Sequence, residues 1–510
     1  MSIKKKVLEN SVFYIFSAML IQAVGFLLLP IYTRFMTPDD FGIISLINGF
    51  VAVFTFIVSF SLYSAAVRFH ADYKDDHVKL KKLYSTLVTF IILSNIIFFL
   101  MCLLFRDQIA KWMFDGISFF PLVFMALLSL VFVSLQALHQ SILQGRQQGK
   151  KLVIINLIVF GLTVVLKIIF VVVFRYGAVG FLVAQLTING LYFFYMIYDL
   201  IREDLLTFGL DKKILKKTLI YSIPLMPHNL STRLAGLISK VLINQSGTLA
   251  LVGLYSISMQ FASLIDMIQT AVNHAFQPWF FITMNNKDEN SKIEIVKLSD
   301  FLLILYSIIY MGVGLFSQEI IMIITSERYY MSWTIIPVLV IGFSIKSIYY
   351  FYVNIVLYYK EATKKLFIAT LTGSLADILI AYLLIPLLGS MGAALAFILA
   401  KFIVVAIVVY ISRRFDSVGY SIPKMLGIIL PSLGFMFVGL YFSYTKYIST
   451  FNWMNFMYKI LILCVYLGYI YFINRTTINK TIQSGQLKNM LQSKKKNLIK
   501  KEDEIIDEEY

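Results

Sequence analysis

The residues best suited to bind a charged ligand lie in one apolar stretch near the middle of the chain, 224–242. If this stretch is helical, four residues recur at i, i+4, i+7 and i+11 and form one polar stripe: Asn229, Arg233, Gly236 and Lys240. Arginine offers a planar fork that matches phosphate oxygens bidentately, and lysine adds a mobile point charge. The stripe therefore predicts a site for an anion.

Further charges lie inside apolar runs that are long enough to cross a bilayer. A charge at the bilayer centre costs roughly 2.5 to 3.5 kcal/mol, so such residues usually face a bundle interior or a wet cavity. Lys459 lies near the end of a span, from which its ammonium could reach the membrane surface. The other cations predict a net-positive, substrate-binding cavity. With Arg34, which follows the first span, the candidate cations of this cavity are Arg34, Lys167, Arg233, Lys240, Lys346 and Lys401.

Polar residues on several predicted helices indicate that this cavity is hydrated. The candidates for its polar lining or for ion coupling are Asp39, His228, Asn229, Asp266, Asn273 and Asp377. Asp266 and Asp377 are the two acids that we place clearly inside spans, and the alternative is that they only neutralise nearby lysine and arginine residues. His139, His228 and His274 leave a similar choice, between a proton carrier and a packed polar residue.

Two prolines, Pro224 and Pro227, are expected to weaken the seventh helix near one end, as a hinge or as a tolerated kink. No spacing of His, Cys and carboxylate residues predicts a metal site, a catalytic site or a bound cofactor. Cys102 and Cys464 lie in apolar runs and predict no disulfide framework. The candidate coupling ion is H⁺ or Na⁺.

Composition identifies a polytopic membrane protein with an all-α fold. Hydrophobic residues make up 59% of the chain and charged residues 14%, whereas soluble domains carry about 25% charged residues. Apolar stretches of about 20 residues predict fourteen transmembrane helices. They lie near 11–33, 42–67, 83–105, 119–143, 152–174, 178–199, 218–244, 249–282, 298–325, 333–359, 366–387, 391–411, 425–445 and 456–473.

The distribution of basic residues predicts the orientation of these spans. The N-terminus, alternate loops and the C-terminal tail hold 33 of the 45 Lys and Arg residues, whereas the opposite loops hold six. By the positive-inside rule, both termini are cytoplasmic. The basic residues lie in short loops rather than in a soluble patch, which argues against nucleic acid as a partner.

An internal repeat with an offset of about 212 residues divides the chain. Three pairs of segments match in order: 42–45 with 253–256, 150–152 with 364–366, and 177–180 with 389–392. Such duplications are common in secondary transporters. We therefore predict two six-helix lobes in parallel topology, 1–210 and 211–415, two additional helices, 416–473, and a charged cytoplasmic tail, 474–510.

Three features resemble bacterial polysaccharide flippases of the multidrug/oligosaccharidyl-lipid/polysaccharide exporter superfamily: LPIYTRFMTPDDFG at 29–42, YSIPLMPHNLS at 221–231, and the paired KKL and GAVG/GSMG segments. The resemblance implies a central cavity, alternating access, and transfer of an undecaprenyl-pyrophosphate-linked oligosaccharide to the outer leaflet of the bacterial plasma membrane. Its motifs carry over onto Arg34, Pro38, Asp39 and Gly42, and onto Pro224, Pro227, His228 and Asn229. They do not include Arg233 or Lys240.

Other functions remain open at this point. A cation-coupled multidrug exporter of the same fold would need an acidic cavity, and a membrane polysaccharide polymerase or ligase would usually need a long outer loop, which the sequence lacks. A non-transporting scaffold is a third alternative. The flippase reading implies a transporter rather than an enzyme, with lipid-linked substrate and membrane lipids as partners, and possible contacts with polymerase and export proteins. Its drive would be the membrane potential or ion antiport.

Overall fold

The computed structural model describes residues 25, 26, 28–286 and 288–483, and every regular element within them is helical. The predicted all-α, polytopic membrane fold is confirmed. The chain forms two compact units: unit 1 ends at Leu254, and unit 2 begins at Tyr255. The lobe boundary at residue 210 comes from the sequence repeat. The division into compact units does not test that boundary, so it stays a prediction.

Twelve helical segments in the described ranges are long and apolar enough to cross a membrane, and they coincide with twelve of the fourteen predicted spans. The predicted first span, 11–33, lies mostly outside the described residues. The predicted seventh span coincides with a 21-residue helix, Met226–Ser246, which is long enough but is not among the twelve. Its polar stripe lowers its hydropathy.

The helices of unit 1 follow one another through short connections. In chain order they are α1 (Leu29–Phe35), α2 (Pro38–Ser59), α3 (Leu62–Tyr73), α4 (His77–Leu104), α5 (Arg106–Met113), α6 (Phe124–Gly145), α7 (Gly149–Lys167), α8 (Gly177–Arg202), α9 (Lys212–Ser222) and α10 (Met226–Ser246). A π-helical segment, Ile168–Val173, extends α7. Helix α11 (Leu249–Asn285) begins in unit 1 and continues into unit 2.

Apolar side chains of α3, α4, α6 and α8 form the core of unit 1. Residues such as Leu83, Leu138 and Met196 are fully buried there. Helix α10 packs against α2, with Ala235 and Leu237 buried and the side chain of Leu237 next to Gly49. One face of α10 is therefore fixed by packing, while Arg233 and Gly236 remain on an exposed face.

Two glycines related by the repeat lie at a close helix contact. A Cβ atom at Gly42 in α2 would overlap the carbonyl oxygen of Leu249, and one at Gly253 in α11 would overlap that of Pro38. The repeat offset relates Gly42 to Gly253 and also Pro38 to Leu249, so the two contacts are equivalent. The N-terminal turns of α2 and α11 thus cross with backbone against backbone, which only glycine permits.

The helices of unit 2 continue the series: α12 (Glu289–Leu315), α13 (Ser317–Ile324), α14 (Ile336–Tyr358), α15 (Lys360–Thr363), α16 (Leu366–Leu388), α17 (Ser390–Arg413), α18 (Ile422–Thr445) and α19 (Trp453–Gln483). A 3-10 segment, Glu327–Ile335, precedes α14. Helices α14, α16 and α17 pack together, and α18 and α19 pack against α12. Helix α19 extends ten residues beyond the predicted end of its span, to Gln483.

Helix starts and loop contacts repeat between the units. Asp76 caps α4 by accepting a hydrogen bond from the backbone N–H of Lys79, and Asp288 caps α12 in the same way through Ser291. Near its start, each of these helices also carries a lysine that forms an ion pair with an acid from a later loop. Lys81 of α4 pairs with Asp204, just beyond α8, at 2.5 Å, and Lys292 of α12 pairs with Asp416, just beyond α17, at 3.2 Å. The duplication therefore extends to caps and ion pairs that the sequence comparison did not reveal.

Candidate functional site

Helix α10 carries the two cations of the predicted polar stripe, Arg233 and Lys240. The Arg233 guanidinium lies over the Phe56 ring of α2, 4.8 Å from its centroid, and its side chain remains exposed. Lys240 is half-buried and donates a hydrogen bond to the backbone carbonyl of Ser45 at 3.3 Å. Both cations thus lie beside α2, and neither interaction neutralises a charge.

Lys167 is the most buried of the candidate cations, with a residue exposure of 6%. Its ammonium lies 3.7 Å from the centroid of the Phe181 ring and 5.9 Å from that of Tyr32. Aromatic faces attract a cation through their quadrupole without cancelling its charge. Lys167 is therefore enclosed among packed aromatic side chains of unit 1 rather than exposed to a ligand.

Arg34 and Asp39 lie near each other in sequence, and both are exposed. The adjacent carboxylate, Asp40, has the structural role: it forms a capping box with Thr37 and accepts a hydrogen bond from the backbone N–H of Ala178 at 3.0 Å. The T-P-D-D spacing was the available signal for this cap. The motif at the start of α2 thus fixes the contact between α2 and α8 through Asp40.

Pro224 and Pro227 lie where the predicted seventh helix is interrupted. Pro224 is in a 3-10 segment, Ile223–Leu225, between α9 and α10, and Pro227 is in the first turn of α10. The side chains of His228 and Asn229 lie outside the described part of the chain. The hinge role of the prolines and the coupling role of His228 remain predictions.

In unit 2 the predicted cavity charges lie beside one another. The Lys346 ammonium lies 2.6 Å from the Asp266 carboxylate, to which the Tyr350 hydroxyl also donates at 2.9 Å. Asp377 of α16 interacts electrostatically with Lys401 of α17. Lys401 also interacts electrostatically with Asp266 and Lys346.

Asn273 lies about two helical turns along α11 from Asp266. It accepts a hydrogen bond from the Asn354 side chain at 2.9 Å. Nearby, the Thr270 and Tyr350 hydroxyls are 2.7 Å apart. These contacts join α11 to α14 inside unit 2. Asp266, Thr270 and Asn273 of α11 are therefore engaged in interhelical hydrogen bonds.

Three further carboxylates are buried in the helices, beyond the two that the sequence places clearly inside spans: Asp199, Asp300 and Glu319. Lys459, whose ammonium was expected to be able to reach the membrane surface, is instead enclosed by the protein. Its side chain is fully buried and pairs with Glu319 at 2.7 Å, while Gln318 accepts a second hydrogen bond at 3.1 Å. The partners are 140 residues apart, so no local pattern could have indicated the pair.

His139 is fully buried in a polar cluster at one end of α6, α7 and α8. Its ring nitrogens contact the Tyr192 hydroxyl at 2.9 Å and the Asp199 carboxylate at 3.2 Å. Lys151 pairs with Asp199 at 2.6 Å and with Glu203 at 2.7 Å. These contacts agree with the interpretation of His139 as a packed polar residue.

Glu203 lies just beyond the end of α8 and also pairs with Arg146. Burial acts to raise the pKa of its carboxyl, but hydrogen bonds and charges from Lys151 and Arg146 outweigh that effect and hold the pKa below its usual value. The Glu203 carboxylate is therefore a stable partner for both cations. This cluster was not predicted from the sequence, although the basic loop at 146–151 forms one side of it.

The two units thus differ in the charges that they place in or beside their helices. Lys167, Arg233 and Lys240 of unit 1 form no ion pair with any described carboxylate, whereas Lys346 of unit 2 pairs with Asp266. Lys401 of unit 2 interacts electrostatically with Asp377 without a salt bridge to any described carboxylate. Among the described residues, no group of three or more His, Cys, Asp or Glu side chains could hold a metal ion. Within the described residues, Arg233 and Lys240 of unit 1 therefore offer unpaired positive charge to an anion.

The fold is that of a polytopic helical membrane protein. Comparison with known families makes the assignment specific, because a family described as "Polysaccharide biosynthesis protein" matches residues 7–284, more than half of the chain. The chain belongs to this family. It is also 25% identical over 293 residues to a protein of the Lsg locus of Haemophilus influenzae, which covers 55% of this chain and 68% of that protein.

Solved structures share the fold. The lipid II flippase MurJ in an inward closed conformation superposes with a TM-score of 0.68 at 20% identity, covering 92% of this chain and all of that one. An inward-facing multidrug resistance transporter of the MATE family gives 0.60 at 14% identity, with 78% and 95% covered. A transporter from Pyrococcus furiosus gives 0.54 at 15% identity, with 82% and 97% covered. The predicted superfamily fold is confirmed.

Proposed function

We propose that this protein is a flippase that moves an undecaprenyl-pyrophosphate-linked oligosaccharide from the cytoplasmic to the outer leaflet, for assembly of a cell-surface polysaccharide. The observation that carries the proposal is the uncompensated positive charge of unit 1 at Arg233 and Lys240. A pyrophosphate has the charge and the oxygen geometry that these side chains bind. Membership of a polysaccharide biosynthesis family supports a glycan as the rest of the cargo.

In this proposal Arg233 makes the bidentate contact and Lys240 the point-charge contact with the pyrophosphate. Arg233 is exposed on α10, and the Phe56 ring beneath it holds the guanidinium without using its charge. Lys346 has a smaller role in the proposal than the sequence suggested, because Asp266 already neutralises it. The protein acts as a transporter, without catalytic residues or a cofactor.

Two energy sources fit the proposal. With both termini cytoplasmic, as the basic loops predict, a doubly charged pyrophosphate moving outward would gain about 4 to 5 kcal/mol per 100 mV if its charge is uncompensated. The alternative is antiport of H⁺ or Na⁺ through Asp266, Asp377 or His228. A coupling ion at Asp266 would have to compete with the Lys346 ammonium, which lies 2.6 Å away.

The proposal is tested by complementing a strain that lacks this gene with the wild type, Arg233→Gln or Lys240→Gln. We expect each variant to insert normally, to lose surface polysaccharide and to accumulate lipid-linked units, because the pyrophosphate loses a charged contact. Lys111→Gln is the matched control, since it removes the same charge at an exposed position of unit 1. Unchanged glycan together with altered drug sensitivity would instead identify a drug exporter.

A further inference from the structure

A groove with a basic end and an apolar floor runs along the surface of unit 1, between α7 and α8. Its volume is about 470 Å³, and its lining includes Lys150, Lys151, Ile154, Ile158 and Tyr195. Both helices are apolar enough to cross the membrane, so the groove faces the bilayer, with its lysines at the end where α7 begins. This groove is separate from Arg233 and Lys240.

The two lysines at the head of the groove differ in charge balance. Lys151 is shared by Asp199 and Glu203, and Glu203 also pairs with Arg146. Lys150 is exposed and forms no ion pair with any described residue. Arg146 and Lys151 are therefore balanced by the two carboxylates, and Lys150 keeps its positive charge at the mouth of the groove.

The floor of the groove continues in line with that charge. Lys150, Ile154 and Ile158 recur at i, i+4 and i+8 on one face of α7, which separates the lysine from the last isoleucine by about 12 Å along the helix. Ile154 is 48% exposed and Ile158 57% exposed. The charge at one end and the apolar surface beyond it are complementary to a phospholipid, whose charged headgroup is followed by an acyl chain.

We propose that the groove between α7 and α8 binds one anionic phospholipid of the surrounding bilayer, with its phosphodiester on Lys150 and an acyl chain along Ile154 and Ile158. The charge balance favours this occupant over the lipid-linked glycan. The Lys150 ammonium matches the single charge of a phosphodiester, and the lining of the groove holds no second unpaired cation for the further charge of a pyrophosphate. The amphipathic ring of Tyr195 lies at the side of the groove.

The test is native mass spectrometry of the full-length protein in detergent, titrated with phosphatidylglycerol. We expect Lys150→Gln to weaken binding of the first lipid about fivefold, the effect of one lysine near a membrane surface. Lys364→Gln is the matched control, because it removes an exposed lysine from the repeat-related position and should leave that affinity unchanged. Ile158→Trp should also weaken binding, because the indole fills the groove while Lys150 stays in place.

Zwitterionic phosphatidylcholine provides the second arm, and we expect it to bind the wild type and Lys150→Gln equally weakly. Equal loss of phosphatidylglycerol in Lys150→Gln and Lys364→Gln would overturn the proposal, since it would indicate a general charge effect. Displacement of phosphatidylglycerol by equimolar undecaprenyl pyrophosphate would overturn the assignment to a bilayer lipid. The inference does not rest on the flippase proposal, because lipid binding is measured without transport.

Discussion

At the scale of single residues, pairing decides which charges in the membrane are available to a ligand. The sequence places Lys240 and Lys346 in one class, because both are lysines in apolar helices. The fold separates them: Lys346 pairs with Asp266, 80 residues away, whereas Lys240 donates to a backbone carbonyl and pairs with no described carboxylate. The positions of these charges were predictable from periodicity along one helix. Their partners were not, because they come from distant segments.

The Lys459–Glu319 pair leads to a stability prediction. Lys459→Met leaves the Glu319 carboxylate buried without a partner, which typically costs roughly 3 to 5 kcal/mol, and we expect a clear fall in the unfolding midpoint measured by tryptophan fluorescence. The double variant Lys459→Met/Glu319→Leu should recover much of that loss, since no buried charge remains. Lys446→Met, at an exposed position, is the control. A wild-type midpoint for Lys459→Met would contradict the prediction.

Asp416 leads to a prediction about pH. Burial acts to raise the pKa of its carboxyl, but the Val418 backbone N–H and the Lys292 ammonium outweigh it, so the pKa lies below the usual value. A lowered folded-state pKa stabilises the protein above the unfolded-state value of about 3.9 and ceases to do so as the pH falls through the folded-state pKa. Asp416→Asn should therefore unfold more readily than the wild type at pH 7, by about 1 to 2 kcal/mol.

The difference between Asp416→Asn and the wild type should close as the pH is lowered below 4, measured by the unfolding midpoint across a pH series. The repeat supplies the control, because Asp204 forms the equivalent ion pair at an exposed position with 70% of its side chain accessible. Exposed pairs contribute little, so Asp204→Asn should change the midpoint less at every pH. A difference for Asp416→Asn that persists unchanged at low pH would refute the assigned cause.

At the scale of elements, glycine sets how closely helices approach. The repeat-related residues Gly42 and Gly253 allow the first turns of α2 and α11 to meet, each against the backbone carbonyl of the other helix. The sequence comparison found these glycines as a match between the halves. It could not predict that they meet, because a repeat specifies equivalent positions and not contacts.

Gly253→Ala should disturb this contact strongly. The new methyl group would overlap the Pro38 carbonyl, and backbone atoms cannot move aside as a flexible side chain can. We expect a loss of more than about 2 kcal/mol in stability, together with reduced glycan export. Gly236→Ala in α10 is the matched control, because no atom lies within 4 Å of its added Cβ and alanine favours the helix. Equal thermal midpoints for the two variants would show that the crossing tolerates a wider spacing.

At the scale of the whole molecule, hydropathy was sufficient to predict the fold class and twelve of the spans, because every crossing of a bilayer requires about 20 apolar residues. The same criterion gave the weakest signal for α10, where the polar residues of the candidate site lower the hydropathy. Buried acids such as Asp300, which pairs with Lys424 at 2.5 Å, also escaped prediction. Such acids pair with cations from distant segments, and they can therefore lie within helices whose hydropathy along the sequence is apolar.

The orientation of the molecule can be tested with cysteine labelling. The chain has two cysteines, and their replacement by alanine gives a background for single new ones. We expect Lys111→Cys to react with a membrane-impermeant maleimide in intact cells, and Lys213→Cys to react only after permeabilisation, because the basic loops are cytoplasmic. Both positions are exposed in the structure. The reverse pattern would place both termini outside.

The central claim is that the uncompensated cations of α10 bind the pyrophosphate of a lipid-linked glycan during transfer across the bilayer. It is tested most directly in proteoliposomes that contain a fluorescent undecaprenyl-pyrophosphate oligosaccharide, by measuring how fast the glycan becomes accessible to an external glycosidase. We predict transfer by the wild type, a fall of about tenfold or more for Arg233→Gln/Lys240→Gln, and a much smaller fall for Asp266→Asn/Lys346→Gln, which removes a balanced pair. Wild-type transfer by the α10 variant would contradict the claim.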